Sequence, residues 1–303
     1  MLDPVSLFIY EDHVDQRTVR ANTLVVTLGS FMDAGHSQAI VDRHLLDSLS
    51  GHQLGHFDMD QVLDYAGHRP VVTFDRDHLK DYEPPQITLH QLTDAAGNDF
   101  LLLQGPEPSL QWERMAASVA HLIEQFDVQQ TVLLQGIPAP APHTRPTVIT
   151  QYASDPTLLE EEPVFGSFQM SATFGSALTV RLDEAGHDVR GLVAHVPHYL
   201  AEGDYAPAAI ALLGELSKTA SLDIPTSALE VAAAATLAGV TEQVEASDEV
   251  GEVVRQLEQN YDAFVEGRRR ITAEAENLPS ADEIGAEFED FLKGLGGPDA
   301  SAN

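Results

Sequence analysis

Along the first two-thirds of the chain, short apolar runs alternate with stretches whose apolar residues recur every three or four positions. Leu24-Val25-Val26-Thr27-Leu28, closed by Gly29, is a continuous apolar run, the pattern of a strand buried on both faces. Ala39, Ile40, Leu45, Leu46 and Leu49 then follow at helical spacing. Residues 71–74, 87–92 and 100–103 read as further strands. Between 107 and 126, Trp112, Met115, Val119, Leu122, Ile123 and Phe126 form one apolar helical stripe. Residues 131–134, 147–152 and 189–196 complete the strands, with a helix over 176–184. Apolar strands separated by helices predict a layered α/β domain with a largely parallel sheet. Residues 71–104 carry strands without intervening helices, which predicts antiparallel hairpins there and a mixed sheet overall.

From Pro207 the pattern is helical only. Ser227-Ala228-Leu229-Glu230 spells a capping box, in which a hydroxyl and a carboxylate satisfy first-turn amides. Val250, Val253, Val254, Leu257, Tyr261 and Phe264 follow close to an a/d seam, predicting a helical hairpin over about 226–270. Arg268-Arg269-Arg270 suits its C-terminus, where cations meet the negative end of the helix dipole; an anion-binding patch is the alternative. The expected organisation is an α/β core over 1–222, a helical hairpin over 223–276, and a linker, short helix and disordered tail over 277–303. In that tail Ser280-Ala281-Asp282-Glu283 reads as another capping box, and Ile284, Phe288, Phe291, Leu292 and Leu295 share one helical face. Such a face predicts docking on the chain's own body or a neighbouring subunit. The alternative is a helix offered to the groove of another protein.

Charge narrows the partners. The 16 Lys and Arg against 48 Asp and Glu leave a formal net charge of −32, the wrong sign for nucleic acid or anionic lipid. No cysteine is present, which removes disulfides, thiolate metal sites and thiol nucleophiles. With neither a basic leader nor a long apolar run, the expectation is a soluble cytoplasmic protein that crosses no membrane.

Three polar segments follow predicted strands, where open α/β sheets bind ligands. The first, residues 29–37, carries Asp33, either a helix N-cap or a ligand contact. The second, residues 138–146, holds His143 and Arg145 among four prolines; Arg145 is either an anion clamp or half of a structural ion pair. The third, His195-Val196-Pro197-His198-Tyr199, places two imidazoles at a strand end, for proton transfer or as packed structural histidines. No metal is expected, because no third ligand is evident, and no cofactor motif occurs. Asp33, Arg145 and His198 are expected to line one cleft at the C-terminal edge of the sheet.

The order of Phe31-Met32-Asp33-Ala34-Gly35, Pro142-His143-Thr144-Arg145-Pro146 and Val196-Pro197-His198-Tyr199 resembles the proteasome assembly chaperone 2 family. Its bacterial, actinobacterial-type branch is the nearest in pattern, and residues 225–261 and 282–292 are also similar to it. The resemblance spans about residues 20–293. It implies a three-layer α/β/α core of the phosphorylase/hydrolase-like kind with a helical C-terminal addition, often oligomeric, and together with the absence of catalytic signatures and the helical arm it leads to the expectation of a non-catalytic binding or assembly protein of undefined biochemical role. The chain departs from the docking tails of that family, which end in a hydrophobic residue, Tyr and one more, by ending Asp299-Ala300-Ser301-Ala302-Asn303. The competing expectation is an enzyme or sensor for a small nucleoside-like or carboxylated ligand, built on Asp33, His143, Arg145 and His198.

Overall fold

The computed structural model describes residues 2–29, 33–159 and 166–276, with side chains described as far as 267. In chain order the elements are β1 (Phe8–Tyr10), β2 (Thr23–Gly29), α1 (Ser37–Ser48), β3 (Ser50–Phe57), α2 (Met59–Val62), β4 (Thr73–Asp75), β5 (His78–Lys80), β6 (Thr88–Thr93) and β7 (Asp99–Pro106). They continue with α3 (Trp112–Phe126), β8 (Gln130–Ala139), β9 (Ile149–Ala153), α4 (Phe174–Glu184), β10 (Val189–Pro197), α5 (Ala206–Ala220), α6 (Ser227–Glu245) and α7 (Asp248–Glu276).

Eight strands form one sheet in the order β1-β3-β6-β7-β2-β8-β10-β9. The four strands β7, β2, β8 and β10 are mutually parallel. Antiparallel pairings bring β6, β3 and β1 onto one side and β9 onto the other. Strands β6 and β7, from the helix-free stretch, pair as an antiparallel hairpin, as the pattern predicts, and α3 carries the chain from β7 across to the parallel β8.

Two apolar layers cover the faces. One packs Leu24, Val26, Leu101 and Leu103 against Met115, Val119, Leu122 and Phe126 of α3 and Phe174, Leu178 and Leu182 of α4. The other packs Val25, Leu102, Val132, Leu134 and Leu192 against Ile40, Val41 and Leu45 of α1 and Ala208, Leu212, Leu213 and Leu216 of α5. Alternate residues of β2 therefore serve opposite cores, which is why the run is apolar throughout. The result is the expected three-layer α/β/α arrangement with helices α6 and α7 appended.

The structure corrects several local expectations. Two strands, β1 and β3, lack a sequence signal, and the run at 71–74 is not a strand of the main sheet. It leads into a separate two-stranded hairpin, β4–β5, whose Phe74 and Leu79 are exposed, as is Val71 before it. The N-cap of α6 is Thr226, one residue before the expected Ser227. There the Glu230 amide bonds the Thr226 carbonyl, and the Thr226 hydroxyl donates to Glu230 Oε1 at 3.2 Å. Helix α7 runs on to Glu276, so Arg268-Arg269-Arg270 lie inside the helix and not at its dipole end. Among the described side chains of α7 the buried ones are Val254 and Leu257, while Val250 and Val253 face solvent.

A half-buried acid sits under the sheet's parallel centre. Asp42 on α1 accepts a hydrogen bond from the Thr27 hydroxyl of β2. Burial holds its carboxyl well above the ordinary 3.8; the Thr27 bond opposes that shift and the charge of Asp33 adds to it. A carboxyl with a raised folded pKa stabilises the fold below its unfolded pKa and loses that contribution as pH rises through the folded value. Asp42→Asn, which keeps an acceptor for Thr27, should therefore raise Tm at pH 7.5. The gain should vanish near pH 3.5, and thermal unfolding at the two pH values checks this.

Candidate functional site

Because β2, β8 and β10 are parallel, the segments after Gly29, Ala139 and Pro197 emerge at one edge of the sheet. Backbone bonds stitch them together. The Gly35 amide donates to the Ala201 carbonyl at 2.7 Å, and the Tyr205 amide donates to the Gly35 carbonyl at 2.9 Å. Gly35 has φ +66°, and a Cβ there would lie 2.8 Å from the Tyr205 Cβ. Only glycine permits both that dihedral and that approach without strain.

Asp33 is turned toward the start of α1. Its Oδ1 accepts from the Gln38 amide at 2.8 Å and the Ser37 hydroxyl at 3.1 Å, and its Oδ2 accepts from the Ala39 amide at 3.3 Å. The two amides are free N–H groups of the first helical turn, which Asp33 reaches from the preceding turn, while His36 holds the N-cap position itself.

His143 is buried at 5% exposure. Its backbone amide donates to the Tyr199 hydroxyl at 2.9 Å, and its Nδ1 lies 2.8 Å from the same oxygen. The hydroxyl accepts from the amide, and in the Nε2–H tautomer it also donates to Nδ1. Nε2 is buried and has no hydrogen-bond partner. Burial pushes this imidazole below its ordinary 6.5, against an upward pull from Glu258, so it is neutral at physiological pH.

Arg145 faces α7. Its Nε and Nη2 bond the two carboxylate oxygens of Asp262 at 2.9 and 3.0 Å, and its Nη1 reaches Glu258 Oε1 at 3.2 Å. Thr144 donates to Glu258 as well, and the Tyr261 hydroxyl donates to the Pro146 carbonyl at 2.9 Å. Asp262 holds the guanidinium pKa above its ordinary value, and Arg145 in turn holds the Asp262 carboxyl below its own. The fork geometry makes Arg145 the clamp that seats α7 on the loop after β8. Arg145→Ala should leave the core folded and speed proteolytic cutting of the 246–276 segment. A digestion time course followed by mass spectrometry reads this.

The remaining two histidines diverge. His195 Nε2 lies 2.9 Å from the Thr150 hydroxyl on the neighbouring strand β9. His198 is exposed, with its ring edge-on to Tyr199 at 5.4 Å between centroids. The structure thus brings all five residues to one edge, but Asp33, His143, Arg145 and His195 point at separate internal partners. The tail residues Ile284, Phe288, Phe291 and Leu292 lie outside the described residues.

Cavities occur elsewhere. A groove of about 340 Å³ runs between β9 and α5, lined by Thr147, Ile149, Gln151, Glu215 and Lys218. Its polar groups already bond one another: Gln151 donates to Glu215 at 2.8 Å, and Lys218 to the same carboxylate at 2.9 Å. A void of about 20 Å³ lies among Gln38, Leu133, Tyr152, Thr173 and Gly175, room for a single water. Among the described residues no group of three or more His, Asp or Glu gathers to hold a metal. No helix among them is long and apolar enough to cross a membrane.

Sequence reasoning missed Tyr199 as the partner of His143, and Glu258 and Asp262 as those of Arg145. The signal for the acids was present. They stand four apart on an amphipathic helix, on the same face as Tyr261.

An α/β/α sandwich whose C-terminal sheet edge is clamped by an added helical hairpin defines the class of protein. The chain belongs to the PAC2 family, whose model matches residues 27–244. It is similar to Mycobacterium tuberculosis Rv2714, a protein of unknown function, at 38% identity and TM-score 0.82, covering 88% of this chain and 92% of that one. A Corynebacterium glutamicum protein of unknown function is 33% identical at TM-score 0.80, covering 86% of this chain and 99% of that one. Mycobacterium tuberculosis Rv2125, a proteasome-assembly chaperone homologue, shares the fold at 23% identity and TM-score 0.70, covering 77% and 99%. No curated protein matches the chain.

Proposed function

We propose that this chain is a cytoplasmic assembly factor that binds other proteins, works as a homo-oligomer and performs no chemistry of its own. The observation that carries the reading is the use of the sheet edge. At the position where α/β enzymes hold substrate, Asp33 caps α1 and Arg145 is spent on Asp262 and Glu258. The edge therefore anchors a helical arm. Membership of the PAC2 family and the shared fold with a proteasome-assembly chaperone homologue support the same reading.

Affinity capture of the tagged full-length chain from its native host, beside light scattering of the purified protein, tests it. The expected result is a protein retained in fixed stoichiometry and a mass that is a multiple of 32.8 kDa. A monomer that retains no protein, yet gains melting temperature with one small ligand, would overturn the reading in favour of an enzyme or sensor.

A further inference from the structure

The eight-stranded sheet ends on β1 at one side and on β9 at the other. Strand β1 is three residues long and runs directly into Glu11 and Asp12, the short and charged form in which sheet edges are blunted. Strand β9 has no such protection. Ile149-Thr150-Gln151-Tyr152-Ala153 contains no proline, no charge and no bulge.

Its backbone groups fall into two rows. The Val148 carbonyl accepts from the His195 amide at 2.9 Å, and the Ser154 amide donates to the Val189 carbonyl at 2.9 Å. Those bonds set the alternation, so Thr150 and Tyr152 turn their amides and carbonyls toward β10. Ile149, Gln151 and Ala153 turn theirs outward, and among the described residues nothing bonds that outer row. Three amides and three carbonyls in line are a template for one more strand. The side chains of Ile149 and Gln151 face α5 across the groove of about 340 Å³, which Ala211 and Gly214 leave open. An added strand therefore has room for its own side chains on that face.

Charge and symmetry say whose strand it is. With a net charge of −32, two copies repel over most of their surface, but residues 146–154 carry no charge at all. Glu215 across the groove is already bonded by Gln151 and Lys218. The nearest acids along the chain, Asp155 and then Glu160, Glu161 and Glu162, all follow the strand. Antiparallel pairing of two copies sends those acids to opposite ends of the joint. The outer row is also its own complement. A two-fold axis at Gln151 sets Gln151 opposite itself and Ile149 opposite Ala153, so every outward amide and carbonyl is bonded. The bulky isoleucine then always meets the small alanine.

We infer that β9 is a dimer edge, which pairs antiparallel with β9 of a second copy about a two-fold axis at Gln151 and joins the two sheets into one. This rests on the homo-oligomer reading and names its contact.

The chain has no cysteine of its own, so an introduced one reports the contact cleanly. Residues opposite each other in such a pair have Cα atoms about 5.5 Å apart, within the roughly 4.4–6.8 Å that a disulfide spans. Gln151→Cys should therefore crosslink under mild oxidation into a species of twice 32.8 kDa on a denaturing gel. Ala153→Cys should not, because its two copies stand about 14 Å apart along the strands. Gln151→Pro removes an amide that bonds nothing within the chain, and Gln151→Ala keeps it while losing the same side chain. Light scattering over a dilution series should find the dimer weakened at least tenfold more by proline than by alanine. An unmodified chain that is monomeric would remove the homo-oligomer reading and this contact together. An oligomer that does not crosslink through position 151 would overturn the contact alone, whatever the proline variant does. Equal crosslinking through 151 and 153 would also overturn it, because chance collision would then account for both.

Discussion

Gly35→Ala should cost the protein roughly 2–5 kcal/mol of stability. Two terms make up that figure. The left-handed dihedral, φ +66°, penalises any residue with a Cβ by about 1–2 kcal/mol. The new methyl would also stand 2.8 Å from Tyr205 Cβ and 3.1 Å from Val196 Cγ1, both within the packed body. Overpacking of that sort costs about 1–3 kcal/mol. For a chain of this size the loss corresponds to a Tm lowered by roughly 4–20 °C. Gly186→Ala is the matched control: its φ is +82°, yet nothing lies within 4 Å of its built Cβ. It should show the dihedral term alone. A Gly35 variant no worse than the Gly186 variant would mean that the turn after β2 is not wedged against Tyr205.

The contrast between those two glycines shows which parts of the fold the sequence disclosed. Elements of strong period were legible: the β2 run, the α3 stripe and the helices α5, α6 and α7 lie where the pattern puts them. Strand β3 was not, because Ser50–Phe57 reads Ser-Gly-His-Gln-Leu-Gly-His-Phe and only its second half is buried. It is accepted into the sheet because Gly55 allows the Ile9 carbonyl of β1 to approach where a Cβ would sit. The run at 71–74 misled in the other direction. Apolar pattern states that a face needs cover, and it does not state whether the cover comes from the same chain.

The candidate site divides in the same way. Strand ends placed these residues at one edge of the sheet, since that follows from parallel topology alone. What each side chain does there depends on partners more than 50 residues away, such as Tyr199 for His143 and Glu258 for Arg145, which are separated by 56 and 113 positions. A capping carboxylate and a ligand-binding carboxylate look identical in sequence, and so do a clamp for an anion and a clamp for a helix. Arg145 was legible as a clamp. Its object was not.

Tyr199→Phe should be the second large loss, and it should fall on the hairpin seat. The hydroxyl accepts from the His143 amide and shares a second hydrogen bond with His143 Nδ1, so its removal strands two groups of a residue only 5% exposed. Each buried polar group left without a partner costs about 1–3 kcal/mol, so the variant should lose roughly 2–6 kcal/mol at pH 7.5. The ring itself remains, which keeps the edge contact with His198 and excludes a packing explanation. Acid should act on the same residue from the other direction. The folded imidazole of His143 titrates below its ordinary 6.5 because it is buried, so the unfolded chain binds the proton first. Stability from this group is complete above pH 6.5 and is lost as pH falls from there toward the lowered folded value. Protonation puts a charge beside the clamp of Arg145 with Asp262 and leaves Nδ1 unable to accept from Tyr199. His143→Asn, which offers Oδ1 to the tyrosine and does not titrate, should flatten part of the decline in Tm between pH 7.5 and 5. His90, also lowered by burial, carries a share of the remainder. If the unmodified protein and the His143→Asn variant lose Tm in parallel across that range, His143 is not the group that senses acid.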